Sequence, residues 1–258
     1  MRLMKRILSA AAVLALSASL LVGCSSGTAS SVPVSASSAA ESTVSSVEET
    51  ASSAVDENEA AAAPLLNDLT GSYQELWPVI LADEYKQTWL DDCTALVGED
   101  NAEAAFEKLT SMVTGDVYGE DAVKAYANGG GAYFCGFTNS LAILTFEGET
   151  STMSGTDKDG NVLFSHTSHY IGMEPVRGLY EFQSDDADSG EFTYFFLAPD
   201  TSAETYHIEF RYGSDAEALS QYDTGEYAYW LASGISTDCD QTRIDNCIEL
   251  FCTENLAG

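Results

Sequence analysis

The chain has 258 residues with 41 acidic and 10 basic side chains, a formal net charge of −31. Such a charge repels phosphate backbones and acidic lipid headgroups, so it excludes nucleic acid as a partner and favours cations. The stretch 64–258 is long enough for one domain with its own core, and no repeat or second linker divides it.

The N-terminus has the layout of a secretory signal. Arg2, Lys5 and Arg6 precede an apolar run over 7–22, which is shorter than the ~20 residues needed to span a bilayer. The following Leu21-Val22-Gly23-Cys24 resembles the lipobox of bacterial lipoproteins. The resemblance implies a signal peptide over 1–23 and lipidation of Cys24. It also implies an extracytoplasmic protein of the bacterial cell envelope, held to the membrane by the lipid anchor only.

Residues 24–63 predict a tether. They are mostly Ser, Ala, Val, Thr and Glu, with no Lys or Arg. A segment of this composition cannot bury enough apolar surface to offset the entropy lost on ordering. We therefore expect a disordered, acidic linker between the membrane and the domain at 64–258.

The sequence does not determine which cysteines form disulfides. Five follow Cys24: Cys93, Cys135, Cys239, Cys247 and Cys252. An extracytoplasmic compartment permits disulfides, and the odd number leaves at least one thiol unpaired or paired with another chain. No C-x-x-C occurs, which disfavours a redox motif or a zinc ribbon. The three cysteines near the C-terminus indicate a staple on the last helix.

Periodicity predicts helices followed by many strands. Apolar spacing predicts helices over 69–89, 101–113 and 121–127, before a glycine run at 129–131. Alternation predicts the strands 131–137, 141–147, 149–154, 162–170, 176–183, 191–197 and 205–212. Helices are expected again at 214–221 and 240–251. Many short antiparallel strands predict a β-rich α+β domain with a closed barrel or sandwich.

His207 and Glu209 are the most suggestive pair for ligand chemistry. They stand two apart in a predicted strand and so share a face, where an imidazole and a carboxylate can bind one divalent ion. Asp200, beyond the preceding strand, could join them across the hairpin. Ordinary polar alternation on an outer strand face gives the same pattern. His166 and His169 stand three apart and face opposite sides, so surface or hydrogen-bonded histidines are expected there.

No motif supports catalysis. The chain has no Gly-x-Ser-x-Gly, His-Glu-x-x-His or phosphate-binding glycine loop, so no enzyme activity is predicted. An aromatic cluster follows the helix at 214–221 and could bind a small ligand or form part of the core. Its members are Tyr222, Tyr227, Tyr229 and Trp230.

Several segments together resemble the ZinT family, a calycin-like extracytoplasmic zinc-binding domain. The similarity begins at Leu69-Thr70-Gly71-Ser72-Tyr73-Gln74-Glu75-Leu76-Trp77-Pro78 and is strongest at Tyr206-His207-Ile208-Glu209-Phe210-Arg211-Tyr212-Gly213. It continues through Glu226-Tyr227-Ala228-Tyr229-Trp230 and spans most of 69–250, with gaps. It implies a lipocalin-like antiparallel barrel with N-terminal helices and a C-terminal helix.

The resemblance also implies a metal site. Its three ligands are histidines in the family, whereas the matching positions here are Asp200, His207 and Glu209. We therefore expect a protein that binds a divalent metal, zinc first but another divalent cation also, and that serves an ABC-type metal importer. The alternative is a non-metal binding module that uses the barrel pocket for a small ligand or a surface partner.

Overall fold

The structure is a computed structural model that describes residues 60–62 and 64–257. The signal peptide at 1–23, the lipidation site Cys24 and the tether as far as residue 59 lie outside the described residues. They remain predictions.

The described residues form an eight-stranded antiparallel barrel. Each strand pairs with its neighbour in the chain, and β1 pairs with β8 to close the cylinder. The strands are β1 Gly71–Glu75, β2 Ile143–Glu147, β3 Thr152–Thr156, β4 Val162–Met173, β5 Tyr180–Ser184, β6 Tyr194–Leu197, β7 Ile208–Gly213 and β8 Ala232–Ser236. The predicted antiparallel barrel is confirmed.

The interior of the barrel is filled with aromatic and aliphatic side chains. On β4 the even positions Phe164 and Ser168 are buried, whereas Ser165, Thr167 and His169 are exposed. The even positions therefore point inward. The strand register continues this inward face round the barrel. Its residues form one apolar cluster with Leu65 and Leu66 from the helical segment 64–68 and with Leu69 in the turn that follows. The inward residues include Tyr73, Leu144, Phe146, Phe182, Phe195, Phe210 and Tyr212.

Helices precede, interrupt and follow the strands. They are α1 Leu76–Ile80, α2 Lys86–Val97, α3 Glu99–Ser111, α4 Glu120–Ala127, α5 Ser202–Thr205, α6 Ala216–Leu219 and α7 Gln241–Leu256. Helix α7 packs on α1 and α2, where the Phe251 ring lies 4.9 Å from Trp77 and 5.9 Å from Trp89. None of the described helices is both long enough and apolar enough to cross a bilayer.

The outward face of β6–β8 is covered, unlike that of β4. Phe196, Arg211 and Ile235 point outward in the register yet are fully buried. Helix α7 lies on this side, since the Arg243 guanidinium donates to the carbonyl oxygens of Ser202 and Tyr206 at 3.1 Å each. On the outer face of β7, Arg211 is covered by the segment 219–227, where the carbonyl oxygens of Leu219 and Tyr227 accept from its guanidinium, and the end near residue 207 faces α7.

Two predicted elements are wrong. The helix expected over 69–89 begins only at Leu76, because 71–75 form strand β1 and pair with both β2 and β8. The strand expected over 131–137 is irregular apart from isolated bridges at Phe134. The remaining predicted strands and helices are present with shifted ends, whereas α5, β8 and most of α2 are not among the predicted elements.

Candidate metal site

The candidate site lies on the outer face of β7. Glu209 is a residue of β7, and His207 directly precedes the strand. Their shared face, predicted from the spacing, is confirmed, because His207 Nε2 lies 3.9 Å from Glu209 Oε1. The pair therefore lies outside the barrel, on the side that α7 covers, and not in the apolar interior.

A tight local turn fixes the imidazole of His207. Tyr206, which ends α5, has a left-handed backbone with φ of 66°. The Thr205 hydroxyl donates to the His207 carbonyl at 2.7 Å, and His207 Nδ1 lies 2.6 Å from the Thr205 carbonyl oxygen. A carbonyl can only accept, so Nδ1 carries the hydrogen. In the neutral ring the lone pair is then on Nε2, the atom that faces Glu209.

Solvent reaches both groups although protein surrounds them. The side chain of His207 is 20% exposed and that of Glu209 is 39% exposed. Loss of solvation is nevertheless the largest influence on the pKa of each group. Both groups are therefore poorly solvated and yet partly accessible to solvent.

The charges of the pair stabilise each other. Burial alone would lower the pKa of His207, but Cys247 and Glu209 together raise it well above its usual value. Burial alone would raise the pKa of Glu209, but His207 and the more distant Arg177 lower it. The two pKa shifts thus favour the charged form of each partner.

Two more carboxylates lie within electrostatic range. Burial raises the pKa of Asp200, the repulsion of Glu209 raises it further, and His207 opposes both. Glu254 on α7 behaves in the same way, since loss of solvation and the charges of Glu209 and Asp200 raise its pKa against His207. Asp200 and Glu254 therefore share the field of the pair, although neither forms a hydrogen bond with it.

The predicted ligands are only partly assembled. Within the described residues, no three His, Cys, Asp or Glu side chains are close enough to hold one ion. The structure brings His207 and Glu209 together and places Asp200 farther away. It adds Glu254, which the sequence did not indicate, and Cys247, whose Sγ is 4.0 Å from His207 Nδ1. The sequence analysis placed Cys247 in the predicted helix 240–251 and Glu254 beyond its end, and it gave no reason to assign either residue to the site.

Other predicted groups lie in different surroundings. Tyr222, Tyr227 and Trp230 are buried in the core, and Tyr229 stacks on Tyr126 with ring centroids 3.7 Å apart. A cavity of about 500 Å³ includes none of these four aromatic residues or the three predicted ligands. Its lining residues are Tyr118, Gly119, Glu120, Asp121, Gly225 and Glu226.

The other two histidines are hydrogen-bonded, as expected. His166 Nδ1 lies 2.6 Å from Asp186 Oδ2, and His169 Nδ1 lies 2.6 Å from Asp185 Oδ1. His169 and Asp185 are each about half exposed. His169 is therefore a surface histidine with a carboxylate partner of its own, which makes it a matched control for His207.

Comparison with solved structures finds six similar chains, including two from Streptococcus pneumoniae. No family model matches the chain, and no curated protein matches it in sequence. The Zn(II)-bound ZinT-like domain of AdcA from Streptococcus pneumoniae has a TM-score of 0.45 at 16% identity, over 72% of this chain and 89% of that domain. Zn(II)-bound AdcA from the same organism has a TM-score of 0.42 at 15% identity, over 70% of this chain. The chain covers 34% of that second protein's length. The first of these structures is described as a domain of the type that the sequence resembles.

Proposed function

We propose that this domain binds a divalent metal ion, with zinc as the expected ion. His207 Nε2 and Glu209 would hold the ion, and Asp200 and Glu254 would complete the site. The observation that carries the proposal is the fixed imidazole of His207. Its Nδ1–H bonds to the Thr205 carbonyl, and its Nε2 faces a carboxylate oxygen 3.9 Å away.

Histidine ligands in metal sites are usually oriented in this way. Their second ring nitrogen donates to a backbone carbonyl or a carboxylate, which fixes the tautomer and makes the free nitrogen a better ligand. Two ligand atoms on one tetrahedral zinc stand about 3.3 Å apart, so a small movement of the flexible Glu209 side chain would close the pair on an ion.

The donor set favours a less selective site than three imidazoles would form. One nitrogen with carboxylate oxygens is a harder set of ligands, which tolerates manganese and calcium better than an all-histidine site. We therefore expect zinc to bind through His207 and Glu209 with lower affinity than at a three-histidine site. The surrounding negative charge would attract any divalent cation to the pair.

The proposed cellular role depends on the predicted lipid anchor. Lipidation at Cys24 would hold the domain beside the membrane, and a tether would let it reach neighbouring membrane proteins. The proposed role is to bind metal outside the cytoplasm and to supply it to an ABC-type metal importer. The chemistry is binding and transfer, with no bond made or broken in a substrate.

Calorimetric titration tests the binding site. The full-length chain, its His207→Ala variant and the control His169→Ala would each be titrated with zinc, manganese and calcium. We expect the wild type and H169A to bind one zinc with equal affinity, and H207A to bind at least about tenfold more weakly. Weak binding of equal strength in all three proteins would be attributed to the acidic surface and not to the site at His207.

Equal zinc affinity in the wild type and H207A would overturn the proposal. A module for a small organic ligand or a surface partner would then replace it. The histidine control is needed because both substitutions remove an imidazole that contacts an acceptor, but only His207 stands beside Glu209.

A further inference from the structure

Two buried cysteines meet between the first long helix and the last one. Cys93 lies on α2 and Cys252 lies on α7, and their sulfur atoms are 3.9 Å apart. They are separated by 159 positions in the chain, and neither side chain is exposed. Among the described residues, no other pair of cysteine sulfurs is in contact.

The packing of the two helices directs both thiols to this point. On α2, Trp89 and Cys93 stand four apart and share the buried face. On α7, Ile248 and Cys252 stand four apart and share the face that meets α2. Trp89, one turn before Cys93, contacts Phe251, which directly precedes Cys252, with ring centroids 5.9 Å apart. This contact belongs to the same interface. The contact between the sulfurs is therefore part of a packed core and does not depend on a flexible loop.

We infer that Cys93 and Cys252 are a disulfide-forming pair that joins α2 to α7. The sulfurs are in van der Waals contact at 3.9 Å, and a disulfide of about 2.05 Å would form by rotation of the two side chains toward each other. This pairing stands independently of the proposed metal site. It concerns that site only because α7 also carries Cys247 and Glu254.

The reaction needs an oxidant, which a disulfide compound supplies by exchange. One thiolate attacks a sulfur of the oxidant and forms a mixed disulfide, and the other protein thiolate then displaces the remaining oxidant thiol. Two protein thiols become one disulfide, and the oxidant disulfide is reduced to two thiols that take the two protons. An extracytoplasmic compartment contains oxidants of this class.

Burial of the two thiols determines the stage of folding at which the Cys93–Cys252 disulfide can form. Burial raises the pKa of the Cys93 thiol, and burial together with Cys93 raises that of Cys252, so the thiolate forms are scarce in the folded protein. Oxidant cannot reach two fully buried sulfurs either. The bond therefore forms while the chain folds, and reductant cannot readily reach it afterwards.

The test is refolding of the reduced full-length chain with reduced and oxidised glutathione. Free thiols are blocked under denaturing conditions, and the digested protein is analysed by mass spectrometry. The expected product is a peptide pair linked through Cys93 and Cys252 that separates on reduction. Cys135, Cys239 and Cys247 should remain free or form mixed disulfides with glutathione. Chain that has folded in its reduced state should form the link at least about tenfold more slowly.

Thermal unfolding gives a second readout. Reduction under denaturing conditions followed by refolding should lower the Tm of the wild type by roughly 5–15 °C. It should leave the C93A/C252A double variant unchanged, while the Cys239→Ser control should behave as the wild type. Alkylated Cys93 and Cys252 as separate peptides after oxidative refolding would overturn the inference. A link from either of them to a different cysteine would overturn it as well.

Discussion

His207 and Glu209 form a charge pair in which the pKa of the imidazole is raised and the pKa of the carboxyl is lowered. The raised pKa stabilises the fold at low pH, and this contribution is lost as pH rises through the folded-state pKa of His207. The lowered pKa of Glu209 stabilises the fold at higher pH, and this contribution is lost as pH falls through its folded-state value. The pair therefore stabilises the metal-free protein most between the two values.

Glu209→Gln tests this pairing. The amide keeps the shape of the side chain and removes its charge, so the pKa of His207 should fall. NMR titration of the His207 ring protons without metal would measure the change. Glu147→Gln, at an exposed end of β2, is the control and should leave the titration as it is. An unchanged pKa in E209Q would show that Glu209 does not hold the imidazolium.

Zinc binding should weaken as pH falls. His207 must lose its Nε2 proton to bind the ion, and its raised pKa means that protons compete already above the pH of an ordinary histidine, about 6.5. Below the His207 pKa, zinc affinity should fall by up to about tenfold per pH unit. Calorimetry at several pH values in buffers of different ionisation enthalpy would also show release of one proton. Affinity that is constant from neutral pH down to pH 5 would contradict a histidine ligand.

Glu254→Gln should stabilise the metal-free protein and at the same time weaken zinc binding. The raised pKa of Glu254 means that its ionised form is unfavourable in the fold, so the metal-free variant should have a higher Tm at neutral pH. The same change should weaken zinc binding by about tenfold, because one charge in the field of the ion is lost. Glu107→Gln on α3, an exposed acid elsewhere, is the control. A variant with the affinity of the wild type would show that Glu254 lies outside the site.

Gly148→Ala should destabilise the barrel. A Cβ on Gly148 would lie 2.4 Å from the Cα of Asn67 and 2.5 Å from the Leu66 carbonyl oxygen, both backbone atoms of the segment 64–68. The helical segment must shift to relieve the clash, at a cost of about 1–3 kcal/mol in the free energy of unfolding. Gly172→Ala is the matched control, since nothing lies within 4 Å of its added carbon. Chemical denaturation of both variants would measure the difference.

Cys24→Ala should release the protein from the membrane. The lipobox pattern at Leu21–Cys24 predicts that the thiol carries the lipid. Without it, the protein should move from the membrane fraction to the soluble fraction or the medium after cell fractionation. Cys239→Ser is the control and should stay with the membrane. If C24A remained in the membrane fraction, the lipoprotein assignment would be wrong.

The sequence predicted the barrel where strands alternate and failed where they do not. In β1 the apolar residue Tyr73 stands between Leu69 and Leu76 at a spacing that also fits a helix, so the strand was assigned to a helix. In β8 the residues Ala232–Ser236 are mostly small and four of the five are buried, so no alternation of apolar and polar side chains marks the strand. It is a strand because it pairs with β1 and β7. Pairing between segments distant in sequence leaves no pattern in the residues of the strand itself.

The site was predictable to the extent that it is local. The spacing of His207 and Glu209 gave their common face, since alternation within one strand depends on nearby residues alone. Glu254 could not be found in this way. Its place beside the pair depends on how α7 docks, which the contacts of Arg243 with Ser202 and Tyr206 determine.

The closing pair of the barrel determines when the protein can fold. Tyr73 of β1 pairs with Ser236 of β8, so the first strand cannot complete its hydrogen bonds until almost the whole chain is present. Contacts this distant in sequence slow folding, because the entropy of closing a long loop is lost before the contacts form. Until that pairing forms, β1 and its inward side chain Tyr73 would remain exposed, so the barrel would be among the last parts of the fold to close.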